Sequence, residues 1–363
     1  MKILHVISGL EAGGAEKVFV NYLKFSKVNR HYVIVLSSKA FYSEEVRAHC
    51  ERIIHLPFSL FSFFTDFFRA LRFLLLSRVD IVLGWLVLGQ IFSFFLAKLT
   101  ESRKVVFMVR QSLQDYETYS FLRRQVYRLN IFLMNKVDLI VFNSHTAQKT
   151  YALFGVNNRQ KSVVIHNGVD LDNFAFCKTK RSAIRKSLHV TEKQIVFLWV
   201  GRWEFEKGND YAQYICEELL LKNPNAIFLF VGKGVPAAPG LIHLRAKYGR
   251  IILNEATSDI SGFFSAADTL ICTSRSESRP NVVLEARVNG LNVVSFDVGD
   301  VKHFLPNENV VSIDAPSQII SKLVRIGHIR SDNAYEGLDT MVSSESFVFK
   351  NLENTLEGVF REI

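Results

Sequence analysis

Two glutamates, Glu277 and Glu285, stand eight positions apart in a segment whose residue types could hold a sugar nucleotide. The apolar run from Leu270 to Thr273 predicts a buried strand of a parallel sheet, and the run from Asn281 to Ala286 predicts a helix. Glu277 then follows the carboxyl end of a strand, where its carboxylate could accept hydrogen bonds from sugar hydroxyls. Glu285, inside the helix, could reach the hydroxyls of a ribose.

The turn between the two glutamates supplies candidate phosphate ligands. Pro280 suits the first turn of the helix, so the backbone N–H groups of residues 278 to 281 would point back towards Glu277. Amide groups at the start of a helix favour phosphate. We therefore expect substrate contacts from Ser278, Arg279, Pro280 and Asn281. The alternative is that Glu277 only caps the helix and that Glu285 forms a surface ion pair.

A second candidate segment follows another predicted strand, Val196 to Val200. Arg202 and Lys207 stand five positions apart around the turn that comes after this strand. A guanidinium offers a fork of donors and an ammonium offers a mobile point charge, so the two cations could hold a diphosphate. The alternative is an ion pair with Glu204 or Glu206 of the same turn.

A glycine-rich turn follows the first predicted strand. Gly13 and Gly14 would allow a backbone-lined turn before a helix that starts near Ala15. The segment does not have the spacing G-x-G-x-x-G, so it gives little support to dinucleotide binding.

Apolar strands alternate with amphipathic helices along the chain, which is typical of parallel sheets with helices on both faces. The strands predicted in the first half cover residues 3–7, 32–36, 53–56, 81–83, 105–109, 139–142 and 162–165. Those predicted in the second half cover residues 195–200, 226–231, 251–253, 269–272, 293–295 and 310–311. Two facing units of this kind would create a cleft at the carboxyl ends of their strands.

The length of 363 residues also indicates two domains. We place them at residues 1–178 and 179–344, with a charged linker from residue 174 to 193 that enters a short helix. Residues 345–363 have the apolar spacing of a helix, which would pack at the domain junction. Its apolar positions are Phe347, Phe349, Leu352, Leu356, Val359 and Phe360.

The net charge of +9 is concentrated in the first half. Residues 1–178 hold 23 Lys and Arg against 13 Asp and Glu, whereas residues 179–363 hold 21 against 22. This asymmetry suits an anionic partner, either a membrane surface or nucleic acid. A solvated basic face without a partner is the alternative.

Cysteine usage and hydropathy bear on location. The four cysteines are widely separated and have no histidine cluster near them, which predicts free thiols in a reducing compartment and no metal site. The apolar run at the amino terminus is too short for a signal peptide, so we interpret it as a first strand and expect a cytoplasmic location. The uncharged stretch from residue 81 to 97 approaches the length of a membrane span. Its glycines favour a strand, a loop and a helix instead.

Six motifs, in order along nearly the whole chain, resemble those of the retaining glycosyltransferases of family 4. They are Gly13 to Glu16; Asn143-Ser144; Ile165 to Asp170 with Phe174; Val200 to Arg202 with Lys207-Gly208; Val231 to Gly234; and Glu277 to Glu285 continuing to Gly299. The resemblance implies the α/β fold called GT-B, with two facing Rossmann-like domains and a deep interdomain cleft. It implies that residues 1–178 bind the acceptor and residues 179–344 bind the nucleotide sugar.

The resemblance also implies roles for the candidate residues. Arg202 and Lys207 would neutralise the donor diphosphate and stabilise the leaving group. Glu277 would hold hydroxyls of the donor sugar, and Glu285 would hold the ribose. The loop at Gly13-Gly14 would approach the reacting centre from the first domain. The cations would take the place of a metal ion, so no metal or other cofactor is expected.

The implied reaction moves a hexose or N-acetylhexosamine from a nucleotide-diphosphate sugar, with a UDP-sugar favoured. The acceptor would be a hydroxyl of a polyprenyl-diphosphate-linked glycan in surface polysaccharide biosynthesis, such as that of lipopolysaccharide and its O-antigen. The anomeric configuration would be retained through a front-face mechanism, in which the departing phosphate assists deprotonation of the acceptor.

Arg110 is a further candidate from the same resemblance. Many relatives carry a histidine or an arginine after a central strand of the first domain, and Arg110 stands at the matching place. It would contact a phosphate of the acceptor or of the donor. The alternative is a surface arginine paired with Asp115 or Glu117.

The sequence departs from the family pattern at four residues in three places. Ser278-Arg279 replaces the usual Gly-Phe after the first glutamate, Gly299-Asp300 replaces the common Gly-Gly, and His303 stands where glutamate is frequent. These changes bear on the identity of the donor more than on the class of reaction.

Two segments of the first half combine aromatic and basic residues, residues 58–78 and 119–136. The aromatic residues concerned are Phe61, Phe63, Phe64, Phe67, Phe68, Phe73, Phe121, Tyr127 and Phe132. Amphipathic helices of this composition can lie on an anionic leaflet, so the protein could act at the inner face of the cell membrane as a peripheral protein. The alternative is that the rings fill the core of the first domain, and we expect that of most of them.

Two other functions compete with glycosyl transfer. A nucleotide-sugar 2-epimerase on the same fold would need catalytic acids and bases beyond those found, and would leave the basic half unexplained. A nucleic-acid-binding protein would use the basic half, but the sequence has no recognisable recognition helix, zinc site or RNA-binding sheet signature, so we expect no nucleic-acid partner.

Overall fold

The computed structural model describes residues 1–11, 13–27, 29–38, 41–57, 63–98, 104–157, 161–257, 259–326 and 345–361 of the chain. Two compact units are formed, one by Met1–Gly168 with Glu345–Ile363 and the other by Val169–Ser344.

The division at Gly168 precedes the expected boundary at residue 178. Phe174 gives the reason, because its side chain is buried within the second unit. Its ring centroid lies 5.4 Å from that of Phe264, and its carbonyl accepts a hydrogen bond of 2.8 Å from Asn289 Nδ2.

Within the described residues, thirteen strands form two sheets in which all neighbouring strands are parallel. The strands of the first unit are β1 (Lys2–Ile7), β2 (Arg30–Val35), β3 (Arg52–His55), β4 (Ile81–Trp85), β5 (Lys104–Val109), β6 (Leu139–Phe142) and β7 (Ser162–Val164). Those of the second are β8 (Ile195–Val200), β9 (Ala226–Val231), β10 (Ile251–Asn254), β11 (Thr269–Cys272), β12 (Asn292–Phe296) and β13 (Val310–Val311). The strand orders are β3-β2-β1-β4-β5-β6-β7 and β10-β9-β8-β11-β12-β13. Each predicted strand is confirmed to within two residues at either end.

Helices join the strands of both sheets. In the first unit they are α1 (Gly14–Phe25), α2 (Ser43–Arg47), α3 (Phe63–Ser77), α4 (Leu86–Lys98), α5 (Phe121–Met134) and α6 (His145–Leu153). In the second they are α7 (Leu171–Phe174), α8 (Lys178–Ser187), α9 (Asn209–Lys222), α10 (Pro239–Tyr248), α11 (Ser261–Ala266), α12 (Asn281–Val288) and α13 (Ser317–Ile326). The last helix, α14 (Glu345–Arg361), belongs to the first unit.

The sheet of the first unit is covered on both faces because alternate residues of its strands point in opposite directions. Leu4 and Val6 of β1 belong to the core shared with helices α3 to α6. Ile3 and Ile7 of the same strand belong to the core shared with α1, α2 and α14. The helices α3, α4, α5 and α6 therefore lie side by side on one face.

The uncharged stretch from residue 81 to 97 forms β4 and most of α4, both within the first unit. Strand β4 is buried throughout, and helix α4 buries seven of its residues. Among the helices that the structure describes, none is long and apolar enough to cross a bilayer.

Helix α14 packs against α1. The rings of Tyr22 and Phe349 meet edge to face at 5.7 Å, and Ser26 Oγ donates a hydrogen bond to the carboxylate of Glu353. Of the apolar positions predicted for this helix, Phe349, Leu352 and Leu356 are buried. The side chains of Phe347, Val359 and Phe360 lie outside the described residues.

The aromatic residues of the two basic segments are less buried than expected. Phe64, Phe68, Phe121 and Phe132 are 72%, 63%, 77% and 58% exposed, whereas Phe73 and Tyr127 are buried and Phe67 is partly buried. Residues 58–62, which include Phe61, lie outside the described part of the chain, as does the side chain of Phe63. The expectation that most of these rings fill the core is therefore wrong for the described residues.

The charged stretch predicted as a linker is instead part of the second unit. Arg181 and Arg185 of α8 are buried and converge on Asp268, with Nη–Oδ distances of 2.8 and 3.3 Å. Asp268 also accepts a 2.8 Å hydrogen bond from the backbone N–H of Val196. These arginines pair with a buried carboxylate and are not solvated. The pattern of charged residues in the sequence does not reveal this pairing.

Replacement of Asp268 by Asn should therefore destabilise the second unit strongly. Two guanidinium groups would lose the buried carboxylate that they contact, and the loss of one member of a buried ion pair costs about 3–5 kcal/mol. Urea unfolding followed by tryptophan fluorescence measures this change. The matched control is Asp259→Asn, since Asp259 is 78% exposed and lies 3.9 Å from Lys180. Equal midpoints for the two variants would contradict the role of Asp268.

Two histidines form a buried chain of hydrogen bonds in the first unit. Trp85 Nε1 can only donate, so His5 Nδ1 accepts at 3.1 Å and His5 Nε2 must carry the proton. His5 Nε2 then donates to His31 Nδ1 at 2.9 Å, and His31 Nε2 donates to the carbonyl of Ser26 at 3.1 Å. Both imidazoles are therefore neutral in this arrangement.

The first unit should lose stability as the pH falls from about 6.5 to about 4. Burial and the neighbouring His31 hold the pKa of His5 well below its ordinary value, and burial lowers the pKa of His31 to about 4. The unfolded chain binds protons below about pH 6.5 that the folded chain does not bind, so each histidine contributes a slope of about 1.4 kcal/mol per pH unit. Urea midpoints measured from pH 7 to pH 5 test this. His31→Gln, which keeps a donor and an acceptor without titrating, should flatten the profile, and the exposed control His49→Gln should not. A flat profile for the unaltered protein would refute the assignment.

Candidate active site

Lys207 and Glu277 meet at the carboxyl ends of two neighbouring strands. Lys207 follows β8, Glu277 follows β11, and β8 and β11 are adjacent and parallel. The Lys207 Nζ atom lies 2.5 Å from Glu277 Oε1, and Ser274 Oγ donates to the same oxygen at 2.8 Å. The side chains are 28% and 14% exposed, so the pair is only partly open to solvent. The structure therefore joins two residues that the sequence placed in separate candidate segments.

The electrostatic environment keeps Lys207 charged. Burial would lower the pKa of this ammonium, but the Glu277 carboxylate raises it and leaves the pKa above its ordinary value. The charge of Arg202 acts in the opposite direction, which places that guanidinium within electrostatic reach of Lys207. A cation held in this way can interact with a negatively charged ligand without first taking up a proton.

The turn that carries Lys207 is fixed against the end of β11. Trp199 Nε1 donates to Thr273 Oγ1 at 2.9 Å, and Thr273 Oγ1 donates to the carbonyl of Lys207 at 2.9 Å. Gly208 has φ +64°, and a Cβ at this position would lie 1.9 Å from the carbonyl oxygen of Thr273. Only glycine allows the backbone to approach so closely, so this turn requires Gly208.

Arg275 completes the attachment of this turn and was missed by the sequence analysis. Its guanidinium makes two hydrogen bonds of 2.6 Å to the carboxylate of Asp210 and one of 2.8 Å to the carbonyl of Phe205. It also lies over the rings of Phe205 and Tyr211, at 3.8 and 4.3 Å from their centroids. Arg275 and Asp210 are 65 positions apart, so no local pattern could have indicated the pair.

Arg202 forms the ion pair that was one of its two interpretations. Its Nη1 lies 3.2 Å from Glu204 Oε2, and both side chains are nearly half exposed. Such a pair contributes little free energy in water, about 0–1 kcal/mol. Arg202 is therefore able to exchange its partner for a stronger anion.

The helix predicted after Glu277 begins at Asn281, as expected. Pro280 precedes α12, with φ −70° and ψ 108°, and its carbonyl accepts hydrogen bonds from the backbone of the first helical turn. Asn281 is the first helical residue, and Glu285 lies half-buried in the second turn. The expected placement of Pro280 inside the first turn is therefore wrong, whereas the order of turn, helix start and Glu285 is confirmed.

Ser278 and Arg279 pack inward. The Ser278 carbonyl accepts a 3.1 Å hydrogen bond from the backbone N–H of Asp300. Gly299 has φ +57°, and a Cβ there would lie 2.4 Å from the same carbonyl oxygen. Arg279 is only 7% exposed and lies over the ring of Phe304 at 4.9 Å from its centroid. Burial lowers the pKa of Arg279 to about 10, and the charge of Asp300 opposes that effect.

The candidates of the first unit stand at the carboxyl ends of its own central strands. Gly13 has an extended backbone and precedes α1, Gly14 is the first residue of that helix, and Ala12 lies outside the described residues. Arg110 follows β5. The structure describes these residues within the first unit, separately from the site built on β8 and β11.

Arg110 is not the surface arginine of the alternative interpretation. Its Nη1 donates to Asn167 Oδ1 at 3.0 Å, and its guanidinium lies 5.2 Å from the ring centroid of Trp85. Burial lowers the pKa of Arg110 to about 10. Its Nε atom is buried and has no hydrogen-bond partner among the described residues. The ion pair with Asp115 or Glu117 is therefore wrong.

Among the described residues, no group of three or more His, Cys, Asp or Glu side chains is arranged to hold a metal ion. The candidate site of the second unit instead combines two cations with carboxylates and the start of a helix.

Comparison with curated proteins finds bacterial relatives that match part of the chain. One is a UDP-Gal:alpha-D-GlcNAc-diphosphoundecaprenol alpha-1,3-galactosyltransferase of Escherichia coli, 28% identical over 176 residues, 46% of this chain and 45% of the relative. Another is the putative teichuronic acid biosynthesis glycosyltransferase TuaC of Bacillus subtilis, 27% identical over 207 residues, 56% of this chain and 50% of the relative. The chain spans about half the length of these curated relatives.

A solved structure matches the chain over both of its units. HepE of Anabaena, in complex with UDP-glucose, has a TM-score of 0.83 at 18% identity, over 99% of this chain and 100% of HepE. At that identity the likeness shows the fold, which is the expected GT-B fold of two Rossmann-like domains.

Family models match each half of the chain separately. The model described as Glycosyltransferase Family 4 matches residues 12–173, and the model described as Glycosyl transferases group 1 matches residues 194–327. Together they span the candidate residues of both units. The chain therefore belongs to the glycosyltransferases of the GT-B fold.

Proposed function

We propose that this protein transfers a hexose or N-acetylhexosamine from a UDP-sugar to a hydroxyl of a polyprenyl-diphosphate-linked glycan. The observation that carries the proposal is the Lys207–Glu277 pair, held at 2.5 Å at the carboxyl ends of adjacent parallel strands. Open α/β sheets bind their ligands at such strand ends. The setting would be the assembly of a surface polysaccharide, of the kind that includes lipopolysaccharide and its O-antigen.

The cations of the second unit suit the diphosphate of the donor. Lys207 carries three donors, so it can keep Glu277 while it binds a phosphate oxygen. Arg202 can leave its exposed partner Glu204 for the same diphosphate. As the bond to the sugar breaks, negative charge develops on the leaving nucleoside diphosphate, and fixed cations stabilise that charge without a metal ion.

The carboxylates suit the sugars of the donor. Glu277 is fixed by Ser274 and Lys207, so its carboxylate can orient hydroxyls of the transferred sugar. Glu285 lies in the second turn of α12 and is assigned to the ribose. We do not propose that a side chain attacks the sugar. Instead, the acceptor hydroxyl attacks the face of the sugar from which the diphosphate leaves, so the anomeric configuration is retained. A departing phosphate oxygen takes the acceptor proton.

The support for a UDP-sugar comes from the relatives. HepE is described in complex with UDP-glucose, and the Escherichia coli relative is named for a UDP-Gal donor. The name of the latter also gives a diphosphoundecaprenol-linked acceptor. We extend both features to this chain.

Arg110 and the Gly13-Gly14 segment are proposed as contacts of the first unit. The guanidinium of Arg110 is oriented by Asn167 and Trp85, while its Nε has no partner among the described residues. A buried donor of this kind suits a phosphate oxygen. The segment at Gly13-Gly14 offers backbone close to the end of β1, where a substrate could approach.

We also propose that the protein acts at the inner face of the cell membrane without spanning it. Helices α3 to α6 share one face of the first sheet, and their outer surfaces carry large exposed apolar side chains. These are Phe64, Phe68, Leu75, Leu88, Phe95, Phe121, Leu122, Leu129, Phe132 and Leu153. Arg123, Arg128 and Lys136 lie among them on or after α5, a combination that suits an anionic leaflet.

Replacement of Lys207 by Ala should lower turnover by about 10²- to 10³-fold, because one fixed positive charge on the leaving group is lost. Glu277→Ala should abolish transfer while the fold is retained. Release of UDP is measured with a panel of UDP-sugars, with and without a polyprenyl-diphosphate-linked acceptor.

Lys222→Ala is the matched control for the lysine variant, since Lys222 forms an exposed pair of 3.1 Å with Glu218 in the same unit. It should keep full activity. Equal activity of the two lysine variants would remove Lys207 from the site. An isomerised sugar formed without any acceptor would replace transfer by the epimerase reaction.

Flotation with anionic vesicles at low salt should recover the protein in the lipid fraction. Phe121→Ser with Phe132→Ser should reduce that recovery at least about tenfold, because burial of one phenylalanine contributes about 1.5–3 kcal/mol. Leu221→Ser with Ile242→Ser is the control, since these side chains are 63% and 40% exposed in the second unit. Recovery of all unaltered protein in the soluble fraction would refute membrane attachment.

A further inference from the structure

A basic cavity of about 570 Å³ lies at the edge of the first sheet and belongs to none of the sites described above. One wall is the edge strand β3, Arg52–His55, and the other is formed by Arg69, Arg72 and Phe73 of α3. The volume falls within the range of about 300–1,000 Å³ that is usual for small-ligand sites.

The cavity carries positive charge that carboxylates of the described residues neutralise only in part. Arg69 pairs with Asp66 at 3.3 Å. Arg52 lies over the ring of Phe73, at 5.3 Å from its centroid, and neither Arg52 nor Arg72 has a carboxylate partner within the described residues. A ring orients a guanidinium without cancelling its charge, so at least two forks of N–H donors remain for an external anion.

The wall of this cavity adjoins an apolar stripe on the same helix. Phe64 and Phe68 are one turn apart on the exposed face of α3, and Leu75 continues that face. Arg72 follows Phe68 by one further turn of α3 and lines the cavity. Helix α3 therefore offers phosphate ligands and exposed rings next to each other.

We propose that this cavity binds the phosphate headgroup of an anionic lipid while Phe64 and Phe68 enter the adjoining leaflet. Arginine forks match the geometry of phosphate oxygens. A free phosphate would satisfy the guanidinium groups but would leave the exposed rings uncovered, so an amphiphile fits the surface better. The inference rests on the proposed membrane attachment and adds a defined headgroup site to it.

The test compares Arg52→Gln with Arg72→Gln, as a double variant of the full chain, with the control Arg245→Gln and Arg325→Gln. Both pairs remove two positive charges, but the control residues are exposed in the second unit. Binding is measured by cosedimentation with phosphatidylcholine vesicles that contain about 20 mol % phosphatidylglycerol, at about 0.15 M salt, where diffuse surface charge is largely screened. The cavity variant should bind at least tenfold more weakly, and the control should bind within about twofold of the unaltered protein.

The charge-preserving variant Arg52→Lys with Arg72→Lys separates a headgroup site from diffuse attraction. A lysine keeps the charge but loses the fork, so this variant should also bind more weakly. Binding equal to that of the unaltered protein, or equal losses in the cavity and control variants, would overturn the proposal. A free-phosphate site would show itself as thermal stabilisation by inorganic phosphate equal to that by dihexanoylphosphatidylglycerol, and would also overturn it.

Thermal protection by UDP-sugars keeps the two proposals apart. The cavity variants should retain this protection and should transfer sugar to a short-chain acceptor as fast as the unaltered protein. Absence of UDP-sugar protection in the unaltered protein would count against the donor site alone, whatever the vesicle results.

Discussion

The parallel pairing of β8 with β11 is the constraint on which the proposed donor site depends. Near the start of both strands, buried Asp268 accepts the N–H of Val196 and two arginine side chains. At their other ends, Lys207 and Glu277 meet although 70 positions separate them in the sequence. A slip of one residue would displace the partners by about 3.3 Å, which is more than an ion pair tolerates. The buried charges near the start of β8 and β11 therefore help to set the geometry of the Lys207–Glu277 pair at the carboxyl ends of these strands.

The sequence predicts the framework well because the strands are short apolar runs buried on both faces, a signal that is local in the chain. The same alternation predicts that Lys207 and Glu277 both lie at strand ends. It does not predict that these two residues pair, nor that Arg275 donates two hydrogen bonds to Asp210, because the partners of both ion pairs are far apart in the sequence. For the same reason Arg181 and Arg185 resemble solvated linker residues until the position of Asp268 is known.

Two departures from the family pattern can be understood as one change. Arg279 stands in place of a usual aromatic residue, and Asp300 stands in place of a usual glycine. In the structure the Arg279 guanidinium is buried against Phe304, and the charge of Asp300 favours its charged form. The backbone N–H of Asp300 also binds the carbonyl of Ser278. The two residues therefore support the turn after Glu277, which carries the proposed donor site.

The two halves differ in net charge and also in how the cations discussed above are held. In the second unit Lys207, Arg202 and Arg275 each lie against a carboxylate, so the proposed donor site stands in a half of almost zero net charge. In the first unit, Arg52 lies over Phe73 and Arg110 lies over Trp85. An aromatic ring gives a guanidinium a fixed position but leaves its charge uncancelled. Arg52 and Arg110 thus contribute ordered, uncancelled charge to the first unit, which is the form that suits recognition of an external phosphate.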